Sequence, residues 1–463
     1  MRFLLLLAAL AAVVAGATEA LGEAPRVLEI EAASLYEAGL LQGRWAKERI
    51  QTWVDGEEMS QRYELLNTNE TYATLFAGLK RDNGAAYPHL VEELRGIADG
   101  AGLPLDKIWV ANLLEELDSL LPRNKSAGHC SDFYGRSASG STVLHGHNEV
   151  CGHIGGCGCG CGRELTTNER CPHDAQDWNE EVKPLWYYVV IKAKPGANFT
   201  SCAGLACELP AVVVSSLGPD AITLVTHALP ALLTDPGAIV GWAVAWNEHG
   251  IFQTQNTLFP GPGDIQTTGG LATAFVQRNA LCPAKTAAAD SADATGARSL
   301  AEYARRVNTG NWAAAASLNV VDLNAQAMGN IEALVDAFSL YEIRTNYSHF
   351  NMFKHLDGGF TDLGDASSEH RQARADQLPA PRSPEDIAAR LGDVHDQVLP
   401  LYRKYTLTSS VLDGATGKLS VWIGKNPAGE RGKRGELPPK PDVVFDVSKG
   451  LGTASESEVG EVE

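Results

Sequence analysis

The stretch CSDFYGRSASGSTVLHGHNEV, residues 130–150, is where the chain changes from a helical to an alternating pattern of apolar residues. CSDFYGR and TVLHGHN predict two strands, and SASGS between them supplies the small residues that a hairpin loop favours. A cysteine, Cys130, stands at the start of the first strand and is set apart from the other cysteines. The stretch therefore predicts a β-hairpin that opens a sheet-rich region with a thiol at its edge.

The segment before the hairpin reads as helical. Apolar residues recur at helical spacing in SLYEAGLLQGRWAKERIQTWV (34–54) and in YPHLVEELRGIADGAGL (87–103), and a third helix is predicted from Leu105 to Leu121. We therefore expect residues 18–129 to form a mainly helical unit.

The segment after the hairpin alternates predicted strands with a few helices. The predicted strands are 185–194, 211–217, 221–229, 238–247, 250–258, 317–323, 330–337, 407–414 and 418–424. The predicted helices are 271–281, 299–308 and 383–392. Grouped strands with helices set between them favour an α+β fold of antiparallel sheets over a parallel βαβ alternation.

Charge restricts the class of partner. The chain has 463 residues, with Lys+Arg 38 against Asp+Glu 57, so its formal net charge is −19. Nucleic acid and anionic lipid both require clustered Lys and Arg. We therefore expect neither as a partner.

The N-terminus, MRFLLLLAALAAVVAGATEA, predicts a signal peptide over residues 1–17. The alternative is a membrane anchor, but the apolar run from Phe3 to Val14 is shorter than the roughly 20 residues that span a bilayer. We expect entry into the secretory pathway and a final location outside the cell or in a lysosome-like or vacuole-like compartment. Four glycosylation sequons agree with this, at Asn69, Asn124, Asn198 and Asn346.

Two segments stand apart from the predicted fold. Residues 151–171, CGHIGGCGCGCGRELTTNERC, are rich in Gly and Cys and read as an inserted loop. Their cysteines could pair as disulfides or bind a soft metal through Cys157, Cys159 and Cys161, and the oxidising compartment favours disulfides. Residues 429–463 are polar and acidic at the end, which predicts a disordered tail. The domain that begins with the hairpin and contains the Cys-rich insert is expected to span residues 130–428.

The odd number of cysteines, nine, leaves at least one thiol without a partner in the chain. If Cys130 is that thiol, it could be a nucleophile with a histidine base, for which His145, His147 and His349 are candidates. Its own α-amino group could instead serve as the base if cleavage made Cys130 a chain terminus. An inert core cysteine or a disulfide partner is the alternative.

An ordered series of motifs resembles the N-terminal-nucleophile hydrolases of the penicillin acyltransferase (peptidase C45) family. The motifs cover most of residues 36–427 and read YEAGLLQG, YPHLVEELRGIADGAGLPLDKIWVAN, HCSDF, GSTVLHGHNE, WNEHGIFQTQNTL, NIEAL, HFNMF, SSEHR and TSSVLDGATGKLSVWIGKNP. The resemblance implies an α+β fold in which two antiparallel sheets lie between helical layers, an αββα sandwich. It also implies a self-processing enzyme that hydrolyses or transfers acyl groups from a linear amide.

The resemblance assigns roles to individual residues. Cys130 is the nucleophile, released by cleavage between His129 and Cys130 into a small chain and a large chain that stay associated. Asn256 corresponds to the asparagine that holds the oxyanion, and Asn148 to the asparagine of the return strand. Arg371 and Ser368 correspond to the closing motif. A small amide is the implied substrate, and neither a cofactor nor a metal is implied.

The sequence departs from the family pattern at two positions. Relatives often carry Asp at the position of Val150, to orient the new amino group, and Gly at the position of His129. Glu149 is adjacent, but neighbouring strand residues point to opposite faces, so Glu149 is expected to replace that Asp poorly unless a bulge re-aims it. The departures motivate a second hypothesis, a secreted binding protein that has lost catalysis and uses its Cys-rich loop. A papain-like protease is a third, disfavoured because the sequence lacks that family's cysteine signature.

Overall fold

Two sheets form the centre of the molecule and helices cover both. The computed structural model describes residues 27–120, 130–150, 186–197, 199, 201–207, 237–239, 241, 243–284, 295–364, 366–403, 406–429 and 437–449. The strands are β1 (Val27–Ala32), β2 (Ser131–Arg136), β3 (Val143–Val150), β4 (Trp186–Ala193), β5 (Cys202–Cys207), β6 (Ala245–Asn247), β7 (Ile251–Thr257), β8 (Ala315–Asp322), β9 (Ala327–Leu334), β10 (Ala337–Ile343), β11 (Tyr347–His349), β12 (Thr406–Asp413), β13 (Lys418–Ile423) and β14 (Val443–Asp446).

The helices divide into an N-terminal group and two later pairs. They are α1 (Leu35–Trp45), α2 (Lys47–Val54), α3 (Glu57–Thr68), α4 (Glu70–Ala86), α5 (Pro88–Ala101), α6 (Leu105–Ala111), α7 (Leu114–Asp118), α8 (Thr273–Leu281), α9 (Leu300–Val307), α10 (Ala366–Gln377) and α11 (Pro384–Leu391). A short 3₁₀ turn, Val447–Lys449, follows the last strand. Among the described helices, none is long and apolar enough to cross a membrane.

Strand order separates the two sheets. The first has eight strands in the order β1-β4-β5-β6-β7-β8-β9-β10, and the second has six in the order β11-β2-β3-β12-β13-β14. Every neighbouring pair is antiparallel except β1 and β4, which are parallel. The α+β class with antiparallel sheets is therefore confirmed.

Three apolar cores join four layers. The largest lies between helices α1 to α9 and one face of the eight-stranded sheet, and includes Leu94, Phe275 and Leu318. A second lies between the two sheets, where Trp246 of the first meets Phe445 of the second with ring centroids 5.3 Å apart. A third lies between the six-stranded sheet and helices α10 and α11. The layers thus follow the order helices, sheet, sheet, helices.

Helices α1 and α5 approach each other through glycines. A Cβ on Gly39 would lie 2.1 Å from the carbonyl oxygen of Glu93, and one on Gly96 would lie 2.2 Å from that of Tyr36. Gly43 and Gly100 meet the partner backbone in the same way. Because no side chain stands between the helices at these points, their backbones are nearly in contact.

The predicted elements are largely present, with three corrections. The helix predicted from Leu105 to Leu121 is two helices, because the Asn112 amide ends α6 by donating to the carbonyl of Ile108 at 2.7 Å. Of the strand predicted at 238–247, only Ala245–Asn247 is a strand among the residues that the structure describes there. The helical unit also contributes β1 to the eight-stranded sheet. The strands predicted at 211–217 and 221–229 lie outside the described residues.

The predicted disordered tail is wrong for residues 437–449. Strand β14 pairs antiparallel with β13, with Val443 opposite Val421 and Phe445 opposite Leu419. Val443 and Phe445 are buried in the core between the sheets, because alternation places both on the inner face. The predicted domain boundary at residue 428 is therefore too early. The predicted signal peptide, the Cys-rich insert and the rest of the tail lie outside the described residues, except for Gly429.

Candidate active site

The register of the hairpin β2-β3 assembles the site. Ser131 lies opposite Asn148, and Asp132 lies opposite His147. Because side chains alternate across a strand, Cys130 and Asp132 share the face that looks toward the eight-stranded sheet. His145, His147 and Glu149 of β3 share that same face. Polar side chains from both strands thus enter the space between the sheets.

Cys130 stands at the N-terminal edge of β2 and carries a free thiol that is 7% exposed. Its Sγ lies 3.3 Å from Oε1 of Glu149 and 3.9 Å from the carbonyl oxygen of Val150. Burial, followed by the negative charge of Glu149, raises the pKa of the Cys130 thiol well above its usual value. The thiol therefore keeps its proton at neutral pH until a base removes it. Among the described residues, Cys130 has no disulfide partner.

Glu149 and Asp132 hold His147 between them. Nε2 of His147 lies 3.0 Å from Oε2 of Glu149, and Nδ1 lies 2.8 Å from Oδ2 of Asp132. Burial disfavours the charged ring, but the two carboxylates outweigh it and raise the pKa of His147 to about 10. His147 is therefore an imidazolium at neutral pH and is not available as a base. The base nearest to the thiol is the Glu149 carboxylate.

Asp132 links the hairpin to the eight-stranded sheet. Its carboxylate accepts hydrogen bonds from the Thr254 hydroxyl and, at 2.8 Å, from Nδ2 of Asn256, both on β7. Nε2 of His145 also lies 2.9 Å from Oδ1 of Asp132. Burial opposes the charge of Asp132, but His147 and His145 hold its pKa well below the usual range. Asp132 is thus an anion at neutral pH that fixes His147 in position.

A chain of buried polar side chains continues from Asn256 across the eight-stranded sheet. Asn319 donates to Oδ1 of Asn256 at 2.8 Å, and Asn330 donates to Oδ1 of Asn319 at 2.8 Å. The chain continues through the Ser317 hydroxyl, which accepts from Asn330 at 2.8 Å and lies 3.1 Å from Nδ1 of His349, and it ends at Glu332, whose carboxylate lies 2.8 Å from Nε2 of His349. Glu332 also accepts the backbone N–H groups of residues 354–356. This chain fixes β7, β8 and β9 behind the hairpin.

Arg371 reaches the start of β2 from the opposite face. Its Nη1 donates to the carbonyl oxygen of Cys130 at 2.6 Å and to the Ser131 hydroxyl at 3.1 Å. Its Nη2 donates to the hydroxyl of Ser368 at 3.0 Å and to Oδ1 of Asn351 at 3.0 Å. The structure therefore joins Arg371 to the Cys130 main chain, and Ser368 holds the guanidinium.

The predicted site residues are only partly brought together. Asn256 faces the space between the sheets, where its amide binds Asp132, and its assignment to the oxyanion stays a prediction. Asn148 does not join the site. Its side chain lies on the other face of β3, donating to the Leu391 carbonyl at 2.9 Å and accepting from Ser409 at 2.6 Å. Asn148 therefore attaches the six-stranded sheet to the outer helices.

The structure places Glu149 beside the thiol, and its expected poor fit to the role of the family's Asp stays a prediction. The neighbour that matters for this placement lies across the hairpin. The register Ser131 opposite Asn148 places Cys130 beside Glu149, so the carboxylate and the thiol share a face. Val150 contributes its carbonyl oxygen and not a side chain to the surroundings of Sγ.

Several predictions fall at the edge of the site or outside it. His129, the residue before the predicted cleavage point, lies outside the described residues, as do the sequons at Asn124 and Asn198. The sequons at Asn69 and Asn346 are exposed. The candidate base His349 binds Glu332 and the Ser317 hydroxyl.

Sequence reasoning missed Asp132 altogether. The signal was present, because a period of two from Cys130 places Asp132 on the thiol's face and the same period aligns His145, His147 and Glu149 on β3.

The donor atoms of Cys130, His147 and Glu149 all lie within 4.8 Å of one another, so these three side chains could hold a metal ion.

The arrangement can take a proton from the thiol through Glu149 while Asp132 and His147 keep Glu149 in place. No protein-family model matches this chain, and no curated protein matches it significantly.

Proposed function

We propose that this chain is a cysteine amide hydrolase or acyltransferase of the N-terminal-nucleophile type, acting through a thioester on Cys130. The contact between the Cys130 thiol and the Glu149 carboxylate, at 3.3 Å, carries the proposal. This contact places a proton acceptor beside the Cys130 thiol. Cys130 stands at the start of β2, where self-cleavage would create a chain terminus.

The layer order supports the same assignment. Helices, an eight-stranded sheet, a six-stranded sheet and helices follow each other as the αββα sandwich requires. Two of the resemblance motifs, YEAGLLQG and GIADGAG, pack against each other through Gly39, Gly43, Gly96 and Gly100. Those motifs therefore have a shared structural reason for their glycines.

Self-processing begins with the thiol. Sγ of Cys130 attacks the carbonyl carbon of His129 while its proton passes to Glu149. The carbon–nitrogen bond then breaks, the nitrogen of Cys130 takes up the proton, and the acyl group rests on sulfur. Water hydrolyses this thioester, leaving a carboxylate on the small chain and a free α-amino group on Cys130.

Turnover repeats the same chemistry on a substrate amide. The Cys130 thiol gives its proton to Glu149 or to the new amino group and attacks the substrate carbonyl. The amine leaves with that proton, and water or a second amine takes the acyl group from sulfur. One hydrogen of the Asn256 amide is bound to Asp132, and the second is the donor that we assign to the oxyanion.

The substrate class follows from the proposed family: a linear N-acyl or aminoacyl amine of low molecular weight, met in the secretory pathway or beyond it. The rival hypothesis of a binding protein without catalysis relied on Val150. Because Glu149 faces the thiol, Val150 no longer argues for lost chemistry.

The test is amide turnover by the protein secreted from a eukaryotic host. A panel of N-acyl and aminoacyl amides is assayed for amine release. Protein denatured during turnover is then digested, and the Cys130 peptide is examined for an attached acyl group. We expect Cys130→Ala to lower turnover by more than about 10³-fold. Cys282→Ala, which removes another buried sulfur, should leave turnover within about twofold of wild type. Equal turnover by Cys130→Ala and wild type contradicts the proposal.

A further inference from the structure

The Cys130 thiol and two side chains beside it are of the types that bind metal ions. Zinc in proteins is bound by cysteine sulfur, histidine nitrogen and carboxylate oxygen. Cys130, His147 and Glu149 supply one of each, and their donor atoms lie within 4.8 Å of one another. This set goes beyond the amide chemistry proposed above, which requires no metal.

The distances suit a single ion with little movement. Tetrahedral zinc with bonds of about 2.0–2.3 Å sets its sulfur and oxygen ligands about 3.6 Å apart, and its nitrogen and oxygen ligands about 3.4 Å apart. The Glu149 carboxylate now lies 3.3 Å from Sγ and 3.0 Å from Nε2 of His147. These distances join different oxygens, Oε1 to Sγ and Oε2 to Nε2, so a single ion requires the carboxylate to turn and the donor atoms, now within 4.8 Å of one another, to move by about 1 Å at most.

The surroundings already orient the histidine as a ligand. A zinc-bound histidine usually donates its second ring N–H to a carboxylate, which fixes the ring. Nδ1 of His147 lies 2.8 Å from Asp132, and Asp132 is itself held by Asn256 and Thr254. His147 thus presents Nε2 toward Cys130 and Glu149 from a fixed ring.

Charge and access favour a cation. Two carboxylates, Asp132 and Glu149, lie in the buried site, and their polar partners are the thiol, two histidines, a threonine and an asparagine. The His147 imidazolium balances one of these charges, and a divalent ion that displaces its Nε2 proton takes over that role. The Glu149 side chain is 14% exposed, so the site opens to solvent at its carboxylate and leaves a fourth ligand position for water.

We propose that Cys130, His147 and Glu149 form a binding site for one zinc ion. Coordination releases two protons to solvent, one from the thiol and one from Nε2 of the His147 imidazolium, and places sulfur on the metal, so bound zinc blocks nucleophilic attack by Cys130. The binding is independent of the proposed function, and only the consequence, reversible inhibition of acyl transfer, rests on it.

The test measures how zinc changes the rate at which Cys130 is alkylated, and it needs no substrate. The full-length protein is treated with iodoacetamide with and without excess ZnCl₂, and the alkylated Cys130 peptide is quantified by mass spectrometry. We expect zinc to slow alkylation of Cys130 at least tenfold and EDTA to restore it. The readout is specific to one peptide, so zinc bound by cysteines of the 151–171 insert does not affect it.

Variants distinguish zinc binding by all three side chains from zinc binding by the Cys130 thiol alone. Glu149→Gln and His147→Gln should each lose most of the zinc protection, whereas Glu248→Gln, an exposed carboxylate elsewhere, should keep it. Asp132→Asn should raise the zinc concentration needed for half protection by about 10- to 100-fold. Circular dichroism spectra matching wild type exclude misfolding as the cause.

Two results overturn the proposal: no zinc protection of wild-type Cys130, or protection that persists unchanged in both ligand variants. Either result leaves the amide hydrolase proposal standing. Zinc protection without amide turnover, conversely, supports the metal site and contradicts the enzyme.

Discussion

Glu149 is the residue on which the proposed chemistry at Cys130 depends. It is the proton acceptor nearest to the thiol, and its charge also raises the pKa of that thiol. These two effects act in opposite directions on reactivity. Replacing Glu149 therefore distinguishes a base from a residue that only supports the fold.

We expect Glu149→Gln to lower amide turnover by about 10²- to 10⁴-fold, because the general base is gone. The same change should speed alkylation of Cys130 by iodoacetamide at a fixed pH below the thiol pKa. The reason is that removing the nearby negative charge lowers that pKa and raises the thiolate fraction. Turnover and the pH profile of alkylation are measured on the same preparation.

The control for this change is Glu248→Gln, in an exposed turn, which should move neither value. A residue with a purely structural role would change turnover and thiol reactivity together. Slower alkylation in Glu149→Gln, alongside lower turnover, would therefore count against Glu149 as the base.

Part of the site was predictable from the sequence. Cys130 and the hairpin follow from local pattern, and Arg371 and Ser368 follow from the resemblance. The position of Glu149 does not, because it depends on which residue of β3 lies opposite Cys130. A slip of one residue in that register would turn every side chain of β3 to the other face. The assignment of Asn148 to the site depended on the same unknown register. The sequence does not show that the Asn148 side chain faces the outer helices.

At the scale of elements, helices α1 and α5 depend on the absence of side chains between them. We expect Gly96→Ala to lower the free energy of unfolding by about 1–3 kcal/mol, because its Cβ would lie 2.2 Å from the Tyr36 carbonyl and force the helices apart. Thermal and urea unfolding of the two proteins measure the difference.

The matched control is Gly84→Ala in α4. A Cβ there meets nothing within 4 Å, so the better helix propensity of alanine should raise stability by about 0.5–1 kcal/mol. Opposite signs for the same substitution in two helices would establish the close approach. A Gly96→Ala protein as stable as wild type would show that α1 and α5 do not pack in this way.

The elements that the sequence predicts well are those with strong local periodicity. The hairpin, β7, β8, β12 and β13 alternate clearly, and α9 and α11 begin at serine caps. Strand β1 was missed because its partner, β4, lies far along the chain and its parallel pairing leaves no local turn signal. Strand β14 was missed because it has only four residues in a polar, proline-containing segment, and Val443 and Phe445 become buried only through contacts with distant strands.

At the scale of the whole molecule, the fold separates an apolar frame from a polar centre. Three cores join the layers, while charged and amide side chains run from Cys130 to Glu332 between the sheets. Buried polar groups on this scale persist because each binds another. The sequence predicts the α+β class from its alternating segments, but the stacking of the two sheets follows from contacts between distant strands.

The most direct measurement of the central claim is the chain composition of the secreted protein. Wild type, Cys130→Ala and Cys282→Ala are produced in a eukaryotic host, deglycosylated, and analysed by intact mass and N-terminal sequencing. We expect wild type and Cys282→Ala to contain a large chain that begins Cys130-Ser131-Asp132-Phe133, and Cys130→Ala to remain a single chain. A single chain in all three proteins, or cleavage that continues in Cys130→Ala, would contradict a self-released nucleophile at Cys130.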